Sequence, residues 1–197
     1  MVWEFLHEIS KKIIHITILI VLIIYFAIKN QAGQQAALLF LVALLIIFLI
    51  LEYFRLDLNF KVPFFHKFIR PKEEYRAYGV IFFLSSTIIA LAAFDTPIAL
   101  AALLMTTFGD MLAAVVGKKH GTTILFRNKT VVGFVTELIT NLIVAVAISL
   151  LFSINIYILI IMAFAATITE TIVDELDDNL IVPIVSGFIG QILLLAI

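Results

Sequence analysis

The sequence predicts an all-α membrane protein that crosses the bilayer about seven times, with its N-terminus in the cytoplasm. The observations behind this prediction are the apolar content, the length of the apolar stretches and the placement of basic residues. Of the 197 residues, 63% are hydrophobic and 14% are charged, and the mean hydropathy is +1.19. Soluble domains are roughly 45–50% apolar and about 25% charged. Because a chain of this size buries only part of its surface, the remaining apolar surface must face lipid.

Each crossing requires about 20 mostly apolar residues, and polar breaks divide the sequence into seven stretches of roughly that length. The clearest breaks are 29–35, which contains Gly33, and 95–97. The predicted spans are 12–28, 36–52, 78–94, 97–116, 131–152, 154–173 and 180–197. Residues 55–77 interleave aromatic and basic side chains, which is typical of a segment lying on anionic headgroups. We expect 1–197 to form a single transmembrane catalytic domain.

The orientation follows from the basic residues, because Lys and Arg concentrate in cytoplasmic loops. With seven spans, 12 of the 13 fall on the face that carries the N-terminus, and only Lys29 falls on the other. Asp110, Glu137 and Glu170 lie within spans, roughly 5–11 Å from that face at 1.5 Å per residue. We therefore expect the function at the cytoplasmic interface. The absence of cysteine excludes thiol chemistry, and the net charge of −1 argues against a nucleic acid partner.

Asp110 is the first residue that is expensive to place in a membrane, where a carboxylate costs about 2.5–3.5 kcal/mol on insertion scales. Thr106, Asp110, Ala113 and Gly117 share one helix face, which allows a neighbouring helix or a ligand to approach closely. The alternative is an aspartate that is hydrogen-bonded to an adjacent helix.

A basic segment follows directly, at about 117–130, and is predicted to be a flexible loop. Positive-inside topology alone explains many such loops, but the glycines and the nearby Asp110 favour phosphate binding. Thr130 is predicted to cap the next helix, whose free N–H groups suit phosphate oxygens. The candidate nucleotide-binding residues are Gly117, Lys118, Lys119, His120, Gly121, Arg127, Lys129 and Thr130.

An acidic segment at 170–179 has five acids in nine residues and no basic residue. It is either a solvated run of charge or part of a metal site. Carboxylate and Asn oxygens suit Mg²⁺, which typically binds one or two carboxylates together with substrate phosphates. The candidate ligands are Asp110, Asp177, Asp178 and Asn179. Basic residues, acids and a metal together indicate phosphoryl or nucleotidyl transfer.

These motifs resemble those of the CTP-dependent lipid kinases, a group that includes dolichol kinase, phytol kinase and the yeast-type diacylglycerol kinase. The group is related to the phosphatidate cytidylyltransferases. Residues 109–121 resemble its G-D-x-x-A-x-x-x-G-[RK]-x-x-G signature. Residues 129–133 resemble K-[ST]-x-E-G, and Glu170 with 178–183 resembles E…D-N-L-x-x-P. One departure is that Val132 stands where the signature has an acid; Glu137, five residues on, cannot take the same place on a helix.

The resemblance implies a CTP-dependent kinase of a membrane lipid alcohol, such as a polyprenol, dolichol or other isoprenoid alcohol. It implies that Asp110 and Asp178 bind Mg²⁺, that the basic residues neutralise the triphosphate, and that Glu170 orients or deprotonates the lipid hydroxyl. Loss of Asp110 or Lys129 is then expected to be far more damaging than loss of Glu137. The protein would be a multi-pass integral membrane protein of the cell membrane in a prokaryote, or of an endoplasmic reticulum-type membrane in a eukaryote.

Two alternatives stay open at this point. A cytidylyltransferase would use the same nucleotide to make a CDP-lipid from a phosphatidate-like substrate; the D-N-L-x-x-P ending and the short length favour the kinase. A small transporter or channel is less favoured, because its ionisable groups would extend through the depth of the membrane. The Gly187-x-x-Gly190 face can pack helices within or between chains, which leaves a homo-oligomer open.

Overall fold

The computed structural model describes residues 2–56, 79–127, 129–173 and 176–196, with side chains from residue 17 onward in the first range. These residues are almost entirely helical. The helices and strands, in chain order, are α1 (Val2–Leu56), α2 (Gly79–Ala93), α3 (Thr96–His120), β1 (Ile124–Phe126), β2 (Lys129–Thr130), α4 (Val131–Phe152), α5 (Ile156–Ile172) and α6 (Asp178–Ala196).

The helices coincide with the predicted apolar stretches, and four helical segments are long and apolar enough to cross a membrane. Those four are Thr17–Leu56, Thr96–His120, Val131–Phe152 and Asp178–Ala196, whereas Gly79–Ala93 and Ile156–Ile172 are shorter apolar helices. An all-α membrane protein is therefore confirmed. The number of seven crossings and the cytoplasmic N-terminus stay predictions. The predicted headgroup segment at 55–77 lies outside the described residues from 57 onward.

The first two predicted spans both lie in α1, and the polar break between them coincides with a break in its backbone. Gly33 has φ 87° and ψ 169°, which are not helical angles. Glycine reaches positive φ without the steric cost that a Cβ brings. The polar break predicted at 29–35 is thus confirmed at Gly33.

The chain divides into two compact units, Met1–Ile88 and Ile89–Ile197. In the first unit, α1 buries Ile18, Leu22 and Tyr25, which recur at helical spacing on one face. In α2 the buried hydroxyl of Thr87 donates to the Phe83 carbonyl oxygen at 2.7 Å, which satisfies this polar group within its own helix.

The second unit holds α3, the hairpin β1–β2, α4, α5 and α6, and its apolar core lies between the four helices. Each helix contributes, for example Met105 from α3, Ile148 from α4, Met162 from α5 and Val182 from α6. Small residues recur on the core face of α3, where Ala99, Ala101 and Ala102 are buried. Because small side chains let helix backbones approach closely, α3 contacts all three of the other helices.

The Gly187-x-x-Gly190 face of α6 packs inside this unit. A Cβ at Gly187 would clash with the Phe94 ring, and one at Gly190 would clash with the Met162 side chain. Of the two uses predicted for this face, packing within the chain is the one that the structure shows.

The segment between α3 and α4 differs from the predicted loop. Helix α3 continues to His120, so Gly117 is a buried helical residue rather than part of a flexible loop. The chain then forms an antiparallel hairpin in which Ile124 pairs with Thr130 and Phe126 with Lys129. A larger residue at position 117 would be crowded, because its Cβ would lie only 3.1 Å from Thr130 Oγ1 and 3.3 Å from Gly133 Cα. The glycine thus serves a close crossing of α3 and α4.

Candidate functional site

Three acids from three helices of the second unit meet at one point. Asp110 lies in α3, Glu170 near the end of α5, and Asp178 at the start of α6. Each offers a carboxylate oxygen, and these oxygens all lie within 4.8 Å of one another. Glu170 is only 3% exposed. Residues separated by up to 68 positions in the sequence are therefore brought together by the packing of α3, α5 and α6.

Lys129, on strand β2, places its ammonium group beside this acid cluster. Lys129 Nζ donates to Glu170 Oε1 and forms an ion pair with it. Partial burial alone would lower the pKa of Lys129, but the charges of Glu170, Asp178 and Asp110 and the hydrogen bond to Glu170 outweigh burial, and its pKa is raised. The ammonium group of Lys129 therefore stays charged throughout the neutral pH range.

Glu137, on α4, is a further acid at the site, although its loss is predicted from the sequence to be far less damaging than that of Asp110 or Lys129. It is 4% exposed, and it interacts electrostatically with Glu170, Lys129, Asp110 and Asp178. No hydrogen bond joins its carboxylate to another residue in the part of the chain that the structure describes. Four carboxyl groups thus lie near one bound lysine, and together they form a set of oxygen donors that suits a cation.

Asn141, one turn further along α4, connects the two helices that carry Asp110 and Glu170. Its Nδ2 donates to Thr167 Oγ1 on α5 at 3.0 Å, and the amide is completely buried. Its Oδ1 has no hydrogen-bond partner among the described residues and lies close to Gly109 on α3, where an added Cβ would be 2.6 Å away. Asn141 therefore bonds to α5 one turn before Glu170 and packs against α3 directly before Asp110.

The remaining predicted metal ligands lie at the start of α6. Asn179 is buried, and its Nδ2 donates to Asp177 Oδ1 at 2.8 Å and to Asp178 Oδ1 at 3.2 Å. Asp178 therefore belongs to the acid cluster directly. Asp177 is not among the three clustered acids, and it contacts the site through Asn179.

The predicted nucleotide residues divide into two groups. Thr130 caps α4 as predicted, since its Oγ1 accepts from Gly133 N at 3.1 Å, and it lies against Gly117 and Gly121. Lys118, Lys119, His120 and Arg127 are exposed, whereas Lys129 is half-buried at the acids. The structure thus brings Lys129 to the acids with Thr130 next to it in the chain, and it leaves the other four basic residues exposed.

Comparison with known proteins identifies the family. The model of the cytidylyltransferase family matches residues 2–174. The chain belongs to the cytidylyltransferase family. It is accordingly a CTP-using lipid enzyme of the transferase class. No curated protein and no solved structure gives a significant match to the chain.

The match to the cytidylyltransferase family covers most of the site. Asp110, Lys129, Glu137 and Glu170 lie inside the matched residues, whereas Asp178 lies just beyond them. The geometry nevertheless brings Asp178 to the same point as Asp110 and Glu170. The acid cluster of this family member therefore extends into α6.

Proposed function

We propose that the chain is a CTP-dependent kinase that phosphorylates the hydroxyl group of a membrane lipid alcohol, a polyprenol or another isoprenoid alcohol. The observation that carries the proposal is the meeting of Asp110, Glu170 and Asp178 beside Lys129, at the ends of apolar helices. Such a position gives access both to a nucleotide in water and to a lipid in the bilayer. Membership of a CTP-using lipid enzyme family supports both substrates.

The donor set fits a magnesium ion. Two oxygens bound to one Mg²⁺ lie at most about 4.2 Å apart, twice the usual distance of about 2.1 Å, and the three carboxylate oxygens are already within 4.8 Å of one another. All three are hard oxygen ligands, the kind that Mg²⁺ prefers. We assign Asp110 and Asp178 as the ligands, with Asp177 and Asn179 in support. When bound, the ion neutralises charge on the phosphates of CTP.

The basic residues bind the triphosphate in this proposal. Lys129 is the inner cation, because its ammonium group is already at the acids, and Thr130 follows it at the start of α4. Lys118, Lys119, His120 and Arg127 attract the nucleotide from water. Gly117 and Gly121 contribute through shape, since they let Thr130 lie close to the end of α3.

The transfer moves one phosphoryl group from CTP to the lipid oxygen. The bond between the γ-phosphorus and the bridging oxygen of the β-phosphate breaks, and a bond between the γ-phosphorus and the lipid oxygen forms. Glu170 orients the hydroxyl and accepts its proton, CDP leaves, and the lipid monophosphate stays in the membrane. Positioning and charge stabilisation supply most of the catalysis in such reactions. The five charged groups at the site are suited to that work.

The membrane topology belongs to the same proposal. Seven crossings with a cytoplasmic N-terminus place the acid cluster on the side where CTP is present. The whole chain then acts as one transmembrane catalytic domain in a multi-pass integral membrane protein. The concentration of Lys and Arg on one face supports this orientation.

The test is phosphoryl transfer in proteoliposomes. Purified protein is incubated with Mg²⁺, a panel of lipid alcohols and CTP labelled at the γ-phosphate, with γ-labelled ATP as the matched comparison. We expect label in a lipid monophosphate with CTP and much less with ATP. Absence of transfer to any lipid alcohol, while the protein remains folded, would contradict the proposal.

A cytidylyltransferase is the second candidate, and the description of the matched family favours it. This enzyme would join the α-phosphate of CTP to a lipid phosphate and release pyrophosphate. CTP labelled at the α-phosphate, offered with phosphatidic acid, distinguishes the two: label in the lipid indicates the transferase, whereas label from the γ-phosphate in the lipid indicates the kinase.

A further inference from the structure

Asn141 is a buried amide in the middle of the apolar helix α4, and half of it has no partner. It is completely buried, and its Nδ2 donates to Thr167 Oγ1 on α5 at 3.0 Å. Its Oδ1 has no hydrogen-bond partner among the described residues. An unpaired buried polar atom costs folding free energy, and an apolar side chain of similar volume would avoid that cost. Packing alone therefore does not account for an amide at this position.

The orientation of the amide is fixed by the hydroxyl that it meets. Thr167 Oγ1 donates its single hydrogen to Ala163 O at 3.0 Å within α5, so in any further hydrogen bond this oxygen can only accept. The NH2 group of Asn141 must therefore point to α5, and Oδ1 lies on the other side of the amide, close to α3. A side chain without an NH2 group, such as that of Leu, could not make this bond.

Both sides of the amide lie within one helical turn of a clustered acid. Thr167 is three residues before Glu170 on α5, which is just under one turn. On α3, Gly109 directly precedes Asp110, and a Cβ added to Gly109 would lie 2.6 Å from Asn141 Oδ1. The amide oxygen therefore has room only because residue 109 has no side chain. Asn141 thus contacts both helices close to their acids, through a hydrogen bond on one side and close packing on the other.

We propose that Asn141 is a positioning residue, which sets the spacing of α3 and α5 and so holds Glu170 in place relative to Asp110. In the proposed reaction the lipid hydroxyl meets Glu170 and the phosphate of CTP at once, and a displacement of about 1 Å at such a site can cost about 100-fold in rate. Carboxylate oxygens that come from three helices keep their places only if the helices do. The inference rests on the function proposed for Glu170.

Thr107 on α3 offers a matched position without the bond between helices. Like Thr167, it is completely buried and lies three residues before a clustered acid, and its hydroxyl donates to the carbonyl oxygen four residues earlier, at 2.7 Å. Within the described residues, no side chain of another helix bonds to Thr107. Thr107→Val and Thr167→Val therefore make the same change at equally buried positions, and only the second removes the acceptor of the Asn141 amide.

The first experiment measures the spacing of the two helices without any substrate. The chain contains no cysteine, so Val115→Cys on α3 and Ile172→Cys on α5, both exposed, give two sites for spin labels. We expect pulsed electron paramagnetic resonance to show a shifted or broader distance distribution when Thr167→Val or Asn141→Leu is added, and an unchanged one with Thr107→Val. Distances that stay the same in the first two variants would overturn the inference.

The second experiment separates turnover from substrate binding, in the assay with γ-labelled CTP and a lipid alcohol. Thr167→Val should lower kcat about 10–100-fold, while the KM for CTP stays within about twofold, because the cations that bind the nucleotide are unchanged. Thr167→Ser keeps the hydroxyl and should restore kcat to within about threefold of the unsubstituted protein, whereas Thr107→Val should lower kcat by no more than about twofold.

The outcomes of the two experiments distinguish the role of Asn141 from the proposed function. Equal losses of kcat in Thr107→Val and Thr167→Val, or a raised KM with an unchanged kcat, would overturn the role of Asn141. Unsubstituted protein that transfers no phosphate to any lipid alcohol would contradict the proposed function, and the distances between the labels would then decide the role of Asn141 by themselves.

Discussion

The two ends of the helices in the second unit differ in how their polar groups are satisfied. At one end, Asp95 and Gln191 pair with each other: Gln191 Nε2 donates to Asp95 Oδ2 at 3.0 Å, and Asp95 N donates to Gln191 Oε1 at 2.8 Å. Asn155 caps α5 by accepting from Tyr157 N. At the other end, Asp110, Glu137, Glu170 and Asp178 gather around Lys129.

This difference separates structural polar groups from functional ones. At the exposed end, Gln191 pairs with Asp95, and Asn155 accepts a hydrogen bond from the first turn of its own helix. The acid-cluster end instead brings four carboxyl groups to one bound lysine, and a bound cation would stabilise such a group of neighbouring acids. Substitutions at one end and then at the other test whether this distinction between structural and functional polar groups is correct.

Asp110→Asn should have the largest effect on activity. The substitution keeps the shape of the side chain and removes the charge that the metal requires. We expect CTP-dependent lipid phosphorylation to fall on the order of 10²–10³-fold, the usual cost of removing one main electrostatic contact in a transition state. Asp95→Asn is the matched control at the opposite end and should keep activity within about twofold. Near-normal activity of the Asp110 variant with Mg²⁺ would remove the metal assignment.

Lys129→Met should have the second largest effect on activity. It leaves Glu170 buried without its bound cation and removes the inner charge from the triphosphate site. We expect a loss of activity of about 10–100-fold, together with a lower melting temperature, since breaking a buried pair exposes the remaining charge to an apolar surrounding. Lys29→Met is the control. The Lys129→Met substitution in a Glu170→Gln background should destabilise the protein less than it does alone; equal destabilisation would show that the ion pair contributes nothing.

Glu137→Gln should have an intermediate effect and is best seen in the metal dependence. The amide keeps the shape of the side chain against Gly109 but removes an acid that interacts electrostatically with Asp110, Glu170 and Asp178. We expect the Mg²⁺ concentration for half-maximal activity to rise by about three- to tenfold, with little change in kcat, because about 1 kcal/mol of attraction is lost. An unchanged magnesium titration would mean that Glu137 does not act on the cluster through its charge.

Gly109→Ala tests the packing that holds the acids rather than the acids themselves. The new Cβ would lie 2.6 Å from Asn141 Oδ1 and 3.1 Å from Glu137 Cγ, and overpacking of this kind costs about 1–3 kcal/mol. A lower melting temperature is expected, measured by thermal denaturation in detergent. If the clash is the cause, adding Asn141→Ala should raise the melting temperature part of the way back to that of the unsubstituted protein. Additive losses in the double variant would place the defect elsewhere.

Gln191→Ala should have the smallest effect. It removes two hydrogen bonds to Asp95 at an exposed end, where such bonds contribute about 0.5–1.5 kcal/mol each at most and water replaces them readily. Activity should stay within about twofold and the melting temperature should fall slightly. A large loss of activity in this variant would show that the two ends are not separate in function.

Most of the helices and the centre of the site could be predicted from the sequence, because their signals are local. Long apolar stretches identify helices, and Asp110, Lys129, Glu170 and Asp178 stand out as charges in or beside them. The position of Glu137 in the site could not be predicted, because the sequence does not show which face of α4 packs against α3 and α5. The hairpin was missed because strands of three and two residues are too short for a periodic pattern.

The C-terminal end of α3 could not be predicted from the sequence for a different reason. Glycine weakens an isolated helix, so Gly117 and Gly121 suggested a loop. In the structure, the benefit of bringing Thr130 and Gly133 against the end of α3 outweighs that local preference, and the helix continues to His120. These tertiary contacts join residues 9 to 16 positions apart, and they leave no mark on the local sequence.

The position of Asp178 in the first turn of α6 bears on how the enzyme is made. Asp110, Lys129 and Glu170 are already in the chain before α6 is synthesised, but the third carboxylate arrives only with that helix. A nascent chain that ends with α5 therefore carries two of the three clustered carboxylates. Packing of α6 through Gly187 and Gly190 then brings Asp178 to the other two, so the cluster forms only after α3, α4 and α5 have all been made.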